Sequence, residues 1–145
     1  MRIVVGADHA GFDLKQELVA ALKAAGHEVV DLGCHAAERC DYPDFAAQVG
    51  RAVANGDAPR GLLVCGTGQG MAMSANRIPG VRASVVSDTF SAHATVQHND
   101  SNVLCVGSRV VGAGLAQDLL SIWLSAEFEG GRHADRLAKM AALER

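Results

Sequence analysis

The stretch Leu62-Leu63-Val64-Cys65-Gly66-Thr67-Gly68-Gln69-Gly70-Met71 runs an apolar strand into a cysteine followed by glycines at alternate positions. That pattern suits an anion cradle with a nucleophile or base at its lip. Glycine lets backbone N–H groups come close to a negatively charged atom, and a helix starting near Gly70 adds the positive end of its dipole. The same field favours thiolate over thiol at Cys65. Taken alone, the segment fits a tight turn around a buried cysteine equally well. The spacing is neither G-x-G-x-x-G nor G-x-x-x-x-G-K-[ST], and no lysine stands near to reach a nucleotide phosphate. A small or transient anion fits better than a nucleotide.

A second group is Arg132, His133 and Arg136, preceded by Gly130 and Gly131. Two guanidiniums one helical turn apart can converge on one phosphate. A solvated basic helix end explains them as well, unless Arg109 reaches the same place. Cys34, Cys40, Cys65 and Cys105 form no C-x-x-C pair and read as reduced thiols. Cys34 and Cys40 flank His35 but show no fourth ligand, so plain thiols are preferred to a metal site.

With 49% hydrophobic and 20% charged residues, the 145-residue chain is expected to form one globular domain, residues 1–145. A net charge of -3 without a basic run argues against nucleic acid as partner. The first apolar run is too short for a signal peptide and no stretch has the length of a membrane span, so a cytoplasmic protein without membrane contact is expected. Continuously apolar strands are expected at 3–7, 28–32, 61–64, 83–86 and 103–106. Between them Leu14/Leu18/Leu22, Phe45/Val49/Val53 and Leu115/Leu119/Trp123 recur at helical spacing and read as core. The alternation predicts a three-layer α/β/α sandwich, Rossmann-like, with ligands beyond the carboxyl ends of the strands.

Asp8, His9 and Gly11 follow the first strand, Cys65 to Gly70 the third, and Gly107, Ser108 and Arg109 the fifth. His98-Asn99-Asp100-Ser101-Asn102 precedes the fifth. Each has an ordinary explanation: Asp8 as a helix cap, His98 at a helix C-terminus, Asn99 as a turn residue. Together they predict one sheet edge carrying an acid, two imidazoles, a thiol, an oxyanion cradle and a guanidinium.

Asp8-His9-Ala10-Gly11, Asp41-Tyr42-Pro43, Cys65-Gly66-Thr67-Gly68-Gln69-Gly70, Ser74-Ala75-Asn76-Arg77, His98-Asn99-Asp100-Ser101-Asn102, Gly107-Ser108-Arg109-Val110 and Glu129-Gly130-Gly131-Arg132-His133-Ala134-Asp135-Arg136 resemble, in order and over nearly the whole chain, the ribose-5-phosphate isomerase B family. That family also contains galactose-6-phosphate and allose-6-phosphate isomerases. The resemblance implies a five-stranded parallel sheet, a sugar-phosphate substrate, no metal or other cofactor, and a homodimer or dimer of dimers with shared active sites. The terminal helix, about 131–145, is expected to pack on the partner subunit. Members lacking the cysteine place a glutamate base just beyond the glycine loop. Here Met71 stands there and Cys65 is present, so the chain resembles the cysteine type.

The implied reaction interconverts ribose 5-phosphate and ribulose 5-phosphate through ring opening and a cis-enediolate. By this resemblance Cys65 is the proton acceptor and His98 the ring-opening acid, with Asp8 and Thr67 relaying hydroxyl protons. The N–H groups of Gly66, Thr67, Gly68, Gln69 and Gly70 would meet the enediolate oxygen. His9, Tyr42 and Asn99 would contact the sugar, and Arg109, Arg132 and Arg136 the phosphate, with His133 as a weaker candidate. Six-carbon aldose phosphates, a non-catalytic sugar-phosphate sensor and a redox sensor built on Cys65 with Cys105 are the alternatives.

Overall fold

The computed structural model describes residues 1–144. Five strands alternate with helices: β1 (Arg2–Ala7), α1 (Phe12–Ala24), β2 (Glu28–Asp31), α2 (Tyr42–Ala54), β3 (Arg60–Cys65), α3 (Gln69–Ala75), β4 (Ala83–Val85), α4 (Thr89–Asn99), β5 (Val103–Gly107), α5 (Ala113–Ser125) and α6 (Arg132–Ala141). The strands pair in parallel in the order β2-β1-β3-β5-β4. Each lies within one or two residues of its expected place; β1, β3 and β5, covered on both faces, are apolar at nearly every position, while the edge strands β2 and β4 are only half-buried.

Two cores flank the sheet. One packs Leu14, Leu18 and Leu22 of α1, Ala92 and Val96 of α4, and Leu119 and Trp123 of α5 on the sheet. The other packs Ala46, Val49 and Val53 of α2 with Met71 and Ala75 of α3 on the opposite face. This is the expected α/β/α sandwich. Leu115 corrects one expected stripe: it is exposed, and Ala116 takes the buried place beside Leu119, Leu120 and Trp123. The helix face toward the sheet is rotated by one residue in its first turn.

The strand order fixes where a ligand can enter. From β1 the chain crosses to β2 on one side, and from β3 it moves off toward β5 and β4 on the other. The connections leaving β1 and β3 therefore run to opposite sides, leaving a crevice beyond their paired carboxyl ends at this reversal of order. Asp8 and Cys65 stand at those two strand ends.

The terminal helix α6 meets its own chain at α4. Only His133 of α6 is buried, while Met140 and the following Leu143 are exposed. Among the described residues, no helix is long and apolar enough to cross a membrane.

Candidate active site

Three loops knit together at the carboxyl edge. Ser108 N–H donates to Cys65 O at 2.8 Å, Arg109 N–H to Gly66 O at 3.0 Å, and Ser108 Oγ to Ala10 O at 2.8 Å. The loops after β1, β3 and β5 thus form a single floor. Above it lies an open cleft of about 400 Å³ whose lining includes Asp8, His9, Tyr42, Cys65, Thr67 and Arg109. Gly66 and Gly70 complete the lip.

Cys65 is 5% exposed and its Sγ accepts the Gly68 N–H at 3.1 Å. That bond needs the loop to turn back at Gly68, which has φ +80°, a conformation costly for residues with a Cβ. At Gly70 the Tyr42 ring lies where a side chain would project, with Cζ 2.6 Å from an added Cβ. The Arg109 side chain lies beside Gly66 in the same way, its Nε 3.7 Å from such a Cβ. The phenol therefore rests against the loop because Gly70 leaves the room, while the guanidinium lies at ordinary contact distance from Gly66.

The remaining first-edge residues are also held. Asp8 is buried and its Oδ1 accepts the Gly11 N–H at 3.0 Å, so it serves the turn into α1 while facing the cleft. His9 Nδ1 meets the Cys40 backbone, accepting its N–H at 3.3 Å, which aims the ring from the Nδ1 side. Thr67 Oγ1 accepts the Gln69 N–H at 3.3 Å. Two N–H groups of the expected cradle, those of Gly68 and Gln69, are thus already occupied within the loop.

His98 and Asn99 correct the expectation of a single edge. They end α4, and a helix that feeds a parallel strand ends beside that strand's amino end. Gly61 N–H donates to Asn102 O, and β3 pairs with β5 from Gly61↔Val103 to Cys65↔Gly107. Four residues at about 3.3 Å each place roughly 13 Å of strand between the two edges. Within one chain His98 therefore stands apart from Cys65. It joins His133 instead, the two rings stacked at 4.6 Å.

The turn that carries His98 and Asn99 is also firmly held. Asp100 ends α4 in the left-handed conformation, φ 47°, which aspartate tolerates better than most residues. Arg82 Nε donates to Asp100 O at 2.7 Å and its Nη2 lies 3.3 Å from Asp100 Oδ2. The guanidinium so fixes the turn that presents His98 and Asn99. Arg132 and Arg136 follow on α6, both exposed. A separate groove of about 500 Å³ at this edge takes in Asn99, Arg82, Ser84, Met140 and Leu143 but no residue of the first cleft.

The other thiols divide by environment. Cys105 is fully buried, and burial, reinforced by the nearby Cys65, pushes its thiol well above the ordinary range. The register pairs it with Leu63, two residues from Cys65. Their Cα atoms are then about 8 Å apart, beyond the roughly 7 Å a disulfide spans. Cys105 is no resolving partner for Cys65. Cys34 is pushed up to about 11, by burial first and then by the neighbouring Cys40.

Two charged residues were given no role from the sequence. Lys15, fully buried, donates to Asp31 Oδ1 and Oδ2 at 2.9 and 2.8 Å and to Cys34 O at 2.5 Å. Its place beside Leu14 and Leu18 on the buried face was the available signal. Glu129 reaches both His98 and His133, at 3.9 and 3.4 Å. Nothing in its spacing distinguished it from a solvated loop acid.

An α/β sandwich with a thiol, acid, imidazole and guanidinium at the reversal of strand order has the equipment of an enzyme that acts on a small anionic substrate. The chain belongs to the ribose/galactose isomerase family, whose model matches residues 3–140, and it is an isomerase. It is 50% identical to ribose-5-phosphate isomerase B of Escherichia coli, over 99% of this chain and 96% of that one. A D-erythrulose-4-phosphate isomerase of Pectobacterium atrosepticum is 39% identical, over 99% and 95%. The solved ribose-5-phosphate isomerase B of Clostridium thermocellum superposes with a TM-score of 0.98 at 47% identity, covering 99% of this chain and 97% of that one.

Proposed function

We propose that the chain interconverts D-ribose 5-phosphate and D-ribulose 5-phosphate, with Cys65 as the base. The supporting observation is the Cys65 Sγ at the crevice between β1 and β3, held by the Gly68 N–H at 3.1 Å with Arg109 alongside. Relatives named for this activity match over almost the whole chain.

The open-chain aldose presents C2 to Cys65. The thiolate takes the C2 proton, the electron pair moves into the C1–C2 bond, and charge develops on O1. Backbone N–H groups of the loop meet that charge, worth about 3 to 4 kcal/mol per donor in comparable sites. The proton returns to C1, while Thr67 and Asp8 pass the hydroxyl proton between O2 and O1. Since the sugar is mainly cyclic in water, His98 first donates a proton to the ring oxygen as its bond to C1 breaks, and Asp8 or Thr67 takes the O1 proton so that the aldehyde forms.

His98, Asn99, Arg132 and Arg136 belong to the other half of the site, and we infer that a partner subunit supplies them. Their distance from Cys65 within one chain supports this reading, as do the exposed Met140 and Leu143 beyond them. Arg109 from one subunit and Arg132 and Arg136 from the other then hold the phosphate, and that grip orients the reacting carbons. The two-chain site makes the protein a homodimer or a pair of such dimers.

A four-carbon aldose phosphate is the second reading, favoured by relatives named D-erythrulose-4-phosphate isomerase at 39% and 41% identity. An assay of four-, five- and six-carbon aldose phosphates, with and without chelator, tests the proposal. Ribose 5-phosphate is expected to give the highest kcat/KM and chelator to leave it unchanged. A higher value on a four- or six-carbon substrate, or activity lost to chelation and restored by metal, contradicts it.

A further inference from the structure

We propose that Glu129 is a positioning residue for the ring-opening acid, holding the His98 ring through a carboxylate bracket shared with His133. This rests on the role given to His98 above. Glu129 lies in the loop between α5 and α6. Its N–H donates to Gln97 O at 3.0 Å, which pins the loop against the last turn of α4, one residue from His98. Its Oε1 then stands 3.9 Å from His98 Nε2 and 3.4 Å from His133 Nε2.

His133 makes the bracket more than a surface pairing. It is 6% exposed and its ring stacks on His98, centroids 4.6 Å apart and planes within 20°. Its Nε2 is buried with no hydrogen-bond partner, and the Glu129 oxygen is the acceptor facing it. The two atoms are already within hydrogen-bond distance but not in line, so a reorientation of the carboxylate closes that bond. One face of the His98 ring is then held by His133 and its Nε2 side by the carboxylate. His93, bonded to Gln97 on the same helix, lines a shared groove with His98, and Arg132 and Arg136 lie on α6 with His133. Among the described residues, Glu129 is the carboxylate paired with either ring.

The same three side chains have donor types that a cation accepts. The rings are nearly parallel, however, so their lone pairs run side by side instead of converging, and Arg132 precedes His133 directly. A carboxylate set against two imidazoles fits this geometry better than a bound cation. A general acid is useful only while its N–H faces the atom it protonates, so a fixed ring outperforms a free one. All three residues belong to one chain and act as a unit in the half-site it lends its partner.

Two substrates separate this role from a structural one. D-Ribose 5-phosphate must be opened, whereas D-erythrose 4-phosphate carries its phosphate on O4 and cannot close a furanose ring. The dimeric enzyme is compared with Glu129→Ala, Glu129→Gln and His98→Asn on both. His98→Asn and Glu129→Ala are expected to lose kcat by about tenfold or more beyond any loss on the four-carbon substrate, with KM little changed. Glu129→Gln, which keeps an acceptor oxygen, is expected to recover part of it. If His98→Asn shows the substrate-dependent loss and Glu129→Ala does not, the positioning role is wrong. If His98→Asn shows no such dependence, the ring-opening assignment fails and this proposal falls with it.

Discussion

In the proposed reaction Cys65 carries the chemistry and Arg109 the grip, and the two are separable because they act on opposite ends of the substrate. Cys65→Ala is expected to lower kcat by about 10²- to 10⁴-fold, the usual scale of a general base, while phosphate affinity stays within about twofold of wild type. Steady-state kinetics and calorimetry with inorganic phosphate check the two halves. A variant retaining most of its kcat would require another base. Gly70→Ala offers a subtler test: its Cβ would meet the Tyr42 ring, so the phenol must move and KM should rise with the fold intact. At this scale the meeting of Asp8, His9, Cys65, Thr67 and Arg109 at one cleft was readable from their places after three apolar strands, whereas the cysteine-glycine segment by itself fitted a plain turn equally well. Glu129 and Lys15 were not readable, since their meaning lies in contacts made only on folding, with His98 31 positions away and with Asp31 16 positions away.

The helices and strands place these groups, and two polar devices hold the placement. The fully buried Lys15 joins α1 to the end of β2 and to the Cys34 carbonyl, where the loop toward Cys40 and His9 begins. Lys15→Met should cost about 2 to 3 kcal/mol, less than for a wholly buried pair because Asp31 is partly wet. Chemical denaturation reads this, and Lys15→Met/Asp31→Leu should recover much of the loss. Asp88 caps α4 at the end opposite His98, its Oδ1 accepting the Ser91 N–H at 2.7 Å. That bond holds its carboxyl below the ordinary aspartate range. The stabilisation is present above the unfolded value and is lost as pH falls through the lower folded one. The difference in Tm between wild type and Asp88→Ala should therefore be steady near neutrality and shrink on strong acidification. All five strands were legible from continuous apolar runs. The error was one of topology: a helix ends at the amino edge of the strand it feeds, so His98 before β5 could not share an edge with Cys65 after β3.

For the whole molecule, the two half-sites at opposite edges of one sheet define the central claim, that catalysis needs the thiol of one subunit and the imidazole and arginines of another. Periodicity could indicate that α6 follows the last β-α unit, but not which chain its arginines serve, because that depends on surfaces that meet only on assembly. Mixing two inactive proteins, Cys65→Ala and Arg132→Ala/Arg136→Ala, tests the claim most directly. In a two-fold dimer each hybrid holds one site with both halves intact, so random exchange should restore about a quarter of wild-type activity. Hybrids shown to form by mass spectrometry but remaining inactive would place the base and these arginines within a single chain.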